Sequence, residues 1–122
     1  MQDPVHNALH ALRQVLDASG PHPTPAWRWE VRRAMAAVRD SLVAESPHAR
    51  EVWLVAREHS VLRERRALLA RLAALGPAVL DSPDPDRVRH QLARLVADVA
   101  HHRQRMHDLA YDEVELEIGG SE

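Results

Sequence analysis

The chain has no cysteine and no phenylalanine, and only four glycines in 122 residues. Without cysteine there is no disulfide, no thiolate metal site and no cysteine nucleophile, a composition suited to a reducing interior. No apolar run approaches the roughly 20 residues that cross a bilayer, so no membrane partner is expected. Residues Met1 to His6 carry neither the basic lead nor the apolar stretch of a secretory signal, and a cytoplasmic location is expected. Lysine is also absent: all 16 basic residues are arginine, as GC-rich coding would produce. The net charge of −2 argues against nucleic acid as a partner, because such affinity comes largely from neutralising phosphates. No glycine loop could cradle a phosphate, and no serine has an evident base at motif spacing. An enzyme is therefore not expected.

What the chain does contain is helix punctuation. Four times an acceptor side chain is followed directly by proline: Asp3-Pro4, Thr24-Pro25, Ser46-Pro47 and Asp84-Pro85. An acceptor at the cap and a residue needing no N–H partner in the first turn together mark a helix start. Each pair precedes a segment whose apolar residues recur every three or four positions. The spacing predicts one all-α domain over 1–122, an antiparallel four-helix bundle with helices at about 4–18, 25–44, 47–75 and 85–113. A short extended tail at 114–122 is expected from the alternation Val114-Glu-Leu-Glu-Ile118 and the Gly-Gly after it.

The first helix would bury Val5, Leu9, Leu12, Val15 and Leu16, and the second Trp27, Val31, Ala34, Met35, Val38 and Leu42. Trp29 falls off that stripe, packed under a loop or exposed at an interface. Ser46-Pro47 can be read as a turn between two helices or as a kink in one, and the capping serine favours the turn. The third helix has two apolar rows. Val52, Val55, His59, Leu62 and Leu69 make one; Leu54, Val61, Leu68, Leu72 and Leu75 make the other. A double-width stripe implies two neighbours, as inside a bundle or at a dimer seam. The run Arg63-Glu-Arg-Arg66 reads as a solvated face with local ion pairs, and Gly76-Pro77 as the stop before a loop clipped by Val79-Leu80. On the fourth helix Val88, Leu92, Leu95, Val96, Val99, Met106 and Leu109 define the buried face, and His102 stands within it.

Polar residues able to reach a common interior point include His59 and His102 from apolar rows, Glu58 between rows, Glu113 at the end of helix four, and the flank residues His6 and His107. Inward imidazoles and carboxylates on facing helices are how bundles build metal sites. Equally, His59 and His102 could simply hydrogen-bond each other, Glu58 or a buried water.

Three passages, Val5-His6-Asn-Ala-Leu9, Arg57-Glu58-His59-Ser-Val-Leu62 and His102-Arg-Gln-Arg-Met-His-Asp108-Leu-Ala-Tyr111, come in order along most of the chain. In them the chain resembles the hemerythrin-like (HHE cation-binding) four-helix bundles, notably a divergent bacterial branch. By that resemblance His6, His59 and His102 would be metal ligands, with His107 in the place of an acidic partner and Glu58 nearby. The family's second-helix histidine has no counterpart; Glu45 and His48 flank the proline there instead. A second helix-three histidine would fall at Val55 or Arg63. The resemblance thus implies a bundle that keeps the scaffold with its metal site degenerate. Its expected role is non-enzymatic protein contact, as a homodimer or with another protein, and no cofactor. The alternative is an iron or other divalent-metal sensor or binder of oxygen or nitric oxide.

Overall fold

The computed structural model describes residues 3–18, 23–45 and 52–119, with side chains in the last stretch described over 58–108. Within these residues there are four helices and no strand: α1 (Pro4–Asp17), α2 (Pro25–Val43), α3 (Val52–Asp81) and α4 (Pro85–Gly119). Three of the acceptor–proline pairs act as helix starts. The Asp3 carboxylate accepts from the Val5 and His6 backbone N–H groups, Thr24 Oγ1 from Trp27 N–H at 3.0 Å, and Asp84 Oδ1 from Arg87 N–H at 3.2 Å. Each satisfies a donor that the first helical turn leaves without a partner. Ser46-Pro47 lies outside the described residues, but α2 has already ended at Val43 with Ala44 as its C-cap.

Two helix ends differ from expectation. Gly76-Pro77 does not stop α3, which carries Pro77 inside it and continues to Asp81. A proline within a helix costs about 3 kcal/mol. Against this, Val79 is buried in the core, worth about 1.5–3 kcal/mol. Arg28 from α2 also donates to the Val79 and Ser82 carbonyls at the helix end, at 3.0 and 3.4 Å. Those contributions offset the proline. Likewise α4 runs on to Gly119, so residues 114–119 are helix and not an extended strip. Leu and Glu are good helix formers, and each added residue gains a backbone bond that a lone strand lacks. Residues 120–122 lie outside the described residues.

Each helix packs on its chain neighbours, and α4 closes against α1. Arg28 near the start of α2 meets the end of α3, while Arg65 of α3 meets Leu42 and Glu45 at the end of α2. Arg71 pairs with Asp98 at 2.7 Å, and Glu64, earlier on α3, pairs with His102, later on α4. Along both contacts rising numbers meet falling ones, so α3 runs opposite to α2 and to α4. The core is aliphatic: Leu9 and Leu12 of α1, Val31, Val38 and Leu42 of α2, Leu68 and Leu72 of α3, and Leu92, Leu95 and Val99 of α4.

Among the described side chains of α3 one of the two rows lies deeper than the other. Val61, Leu68 and Leu72 are buried, whereas Leu62 and Leu69 are half-buried and His59 is exposed. His59 precedes Val61 by two residues, about 200° around the helix, which turns it from the core. Three helix ends are sealed by side chains from other elements. The indole N–H of Trp27 donates to Val15 O of α1 at 2.8 Å, and Arg28 and Arg65 do the same for α3 and α2. Such carbonyls have no partner within their own helix.

Candidate functional site

His102 follows Leu92, Leu95 and Val99 on the inward stripe of α4 and is 0% exposed. It is the only polar or charged residue buried among those described. Both ring nitrogens are engaged. Nε2 lies 2.7 Å from Glu45 Oε2 and Nδ1 lies 2.8 Å from Glu64 Oε1. The Glu45 side chain is itself only 10% exposed and the Glu64 side chain 27%.

Each carboxylate is held in place by an arginine. Arg65 Nη1 donates to the backbone carbonyls of Glu45, at 2.7 Å, and Leu42, at 3.3 Å. It thereby fixes the chain where α2 has ended and leaves the Glu45 carboxylate free to turn inward. Arg105, one turn beyond His102, grips Glu64 through two donors on one guanidinium edge: Nε donates to Oε1 at 3.1 Å and Nη2 to Oε2. Beside this cluster Arg103 Nε donates to the Asp3 carboxylate, and His107 Nε2 sits 3.2 Å from the same oxygen. Residues 102 to 107 of α4 thus reach α1, the end of α2 and α3 at once.

Donor counting dictates the protonation of this arrangement. An ionised carboxylate only accepts, and a neutral imidazole donates from one nitrogen alone. Two bonds to two carboxylates therefore need one proton more than a neutral ring supplies. Burial works against charge on the ring, but the hydrogen bond and charge of Glu45, then those of Glu64, outweigh it and hold the His102 pKa above its ordinary 6.5. Asp3 follows the same logic with opposite sign. Burial opposes its ionisation, yet the Arg103 hydrogen bond and the His6 and Val5 N–H groups hold it below 3.8.

The residues expected to ligate a metal are distributed differently. His6 and His59 are exposed, Glu58 is half-buried, and His107 is exposed where it meets Asp3. Of the described members of the expected set only His102 is interior, and both its ring nitrogens already donate to carboxylates, whereas a metal takes a neutral imidazole nitrogen. Among the described residues no group of three or more such side chains is placed to hold a metal ion. Among the described residues the donor set does not fit a metal centre. Glu113 lies outside the described side chains.

Glu64 and Arg65, expected on a solvated face, are instead half-buried working parts of the site. A signal existed for both: Val61, Glu64 or Arg65, and Leu68 repeat at the spacing of the inward row. Four charges in succession masked it. Glu45 has no periodic signal, because it stands beyond a helix end and only tertiary packing brings it in. No known protein family, curated protein or solved structure matches this chain.

Proposed function

We propose that this chain is a non-enzymatic helical bundle that works through protein–protein contact and self-association, of hemerythrin-like descent with its metal shell lost. The observation that carries the reading is the buried triad Glu45–His102–Glu64. In a metal-binding or catalytic bundle the inward histidine presents a nitrogen to a ligand; here both are consumed in joining three elements. The site therefore serves to hold the scaffold shut, which leaves the outer surface to act.

That surface has a candidate. Trp29, at 60%, and Val43, at 56%, are the exposed large hydrophobics among the described residues, and both are on α2. Tryptophan is depleted on surfaces that meet only water and enriched where proteins meet. Light scattering across a concentration series tests the reading. Association at tens of micromolar, weakened by Trp29→Ser with unchanged helix content, is the expected result. A strict monomer over that range, indifferent to Trp29, refutes self-association.

A further inference from the structure

Trp29, Arg32, Ala36, Arg39 and Val43 succeed one another at spacings of three, four, three and four along α2. That is the repeat of a helix-docking seam, about 21 Å long at 1.5 Å per residue. The middle of the seam borders a groove of about 450 Å³ between α2 and α3. Its apolar lining includes Met35, Ala36 and Leu72, and Arg32 and Arg39 are its charged residues. No carboxylate lines it. Small residues keep it open on the α3 side, where a side chain on Gly76 would collide with the guanidinium of Arg32.

Arg32 is half-buried and its guanidinium makes no hydrogen bond or ion pair within the described residues, in contrast to those of Arg28, Arg65, Arg71, Arg103 and Arg105, each of which has an acceptor. Among the described residues the Arg39 guanidinium meets only Asp40, at 3.5 Å, both well exposed. The groove therefore offers an apolar floor, two cations seven residues apart, and an exposed apolar residue at either end of its seam.

We infer that the α2–α3 groove docks an acidic amphipathic helix of a partner protein. The partner's apolar stripe lies between Trp29 and Val43, and its carboxylates, about 10 Å apart, meet Arg32 and Arg39. Helix-in-groove docking of this kind takes its affinity from the apolar anchors and its choice of partner from charge. The inference rests on the reading of the chain as a protein-contact module and names the class of partner.

The test uses the full chain and two synthetic helical peptides with leucine at the seam positions. One carries glutamate at two positions seven residues apart, the other lysine there. Fluorescence anisotropy of the labelled peptide reports binding. The Glu peptide is expected to bind at least about tenfold more tightly than the Lys peptide. The double variant Arg32→Glu, Arg39→Glu should invert that preference, and Trp29→Ser should weaken the Glu peptide without altering the circular dichroism spectrum. Equal binding of both peptides, no binding of either, or indifference to the charge reversal overturns the inference. A dimer that dissociates on the charge reversal while ignoring the Glu peptide also overturns it, since the groove would then be an interface between copies. A monomer that binds the Glu peptide supports the groove and sinks self-association alone.

Discussion

Replacing His102 by leucine leaves two carboxylates facing a space from which their shared donor has gone. The consequences for the two differ. Glu64 keeps Arg105, so its charge stays compensated. The Glu45 side chain, 10% exposed, has no cation at its carboxylate other than His102 among the described residues. Two charge-assisted hydrogen bonds are worth about 1.5–3 kcal/mol each, and breaking a buried pair from one side costs about 3–5 kcal/mol, because a lone charge remains. The leucine recovers a little by packing beside Val99. We expect His102→Leu to lose about 3–4 kcal/mol, a large share of the roughly 5–15 kcal/mol that holds a domain folded.

Most of that loss belongs to the orphaned Glu45 and should vanish when Glu45 is neutral. In the background of Glu45→Gln, the same His102→Leu change should cost about 1–2 kcal/mol, a coupling of about 2 kcal/mol. Against Glu64→Gln the coupling should be smaller, since Arg105 shields that carboxylate. Urea unfolding followed by far-UV circular dichroism at neutral pH measures all of these. Additivity of His102 and Glu45 within about 0.5 kcal/mol, or a stronger coupling to Glu64 than to Glu45, would show that the loss does not come from an orphaned Glu45.

Further outcomes follow from the same contacts. The His102 pKa is raised on folding, so its contribution to stability is complete below its ordinary 6.5 and is lost as pH rises through the higher folded value; the stability gap between wild type and His102→Leu should narrow as pH rises above 6.5. Asp3 is depressed on folding, so its contribution is present above 3.8 and is lost as pH falls through the lower folded value. Asp3→Asn, which keeps a cap, should remove that acid-sensitive part, while Asp3→Ala should cost about 1 kcal/mol more, read by chemical unfolding. Arg65→Ala strips the side-chain donor from the Glu45 carbonyl, leaves that of Leu42 with the Glu45 N–H alone, and should cost about 1.5–3 kcal/mol, with faster hydrogen exchange in the last turn of α2 and poor rescue by lysine. Gly76→Ala should move two readouts in opposite directions. Helix propensity gains up to about 1 kcal/mol, while the new methyl displaces Arg32 and weakens binding of the Glu peptide.

The parts of this structure that local chemistry decides were legible in the amino-acid order. Asp3, Thr24 and Asp84 cap helices because an acceptor before proline does little else well, and the faces of α1, α2 and α4 follow from apolar spacing. The parts that tertiary contacts decide were not. Two rows on α3 were equally apolar, and only the packing of α2 and α4 chose the one containing Val61 and Leu68, which turned His59 outward and Glu64 inward. Gly76-Pro77 carries a stop signal that Val79 and Arg28 overrule from outside the segment. Val114 to Ile118 alternates like a strand, yet no neighbouring strand exists among the described residues to pair with it, and the helix continues. His102 stood out from the first as a polar residue on a buried seam. Its partners did not, because one lies past a helix end and the other within a charge run.

His102 is a closed, doubly bonded ring, and the two carboxylates call for a proton on each nitrogen. Nitrogen NMR of the side chain, in protein labelled on histidine, reads this directly at neutral pH. We expect Nδ1 and Nε2 of His102 both to show protonated, slowly exchanging N–H signals that are lost in His102→Leu. A His102 ring with one bare nitrogen at neutral pH, titrating at or below the ordinary value, would contradict it.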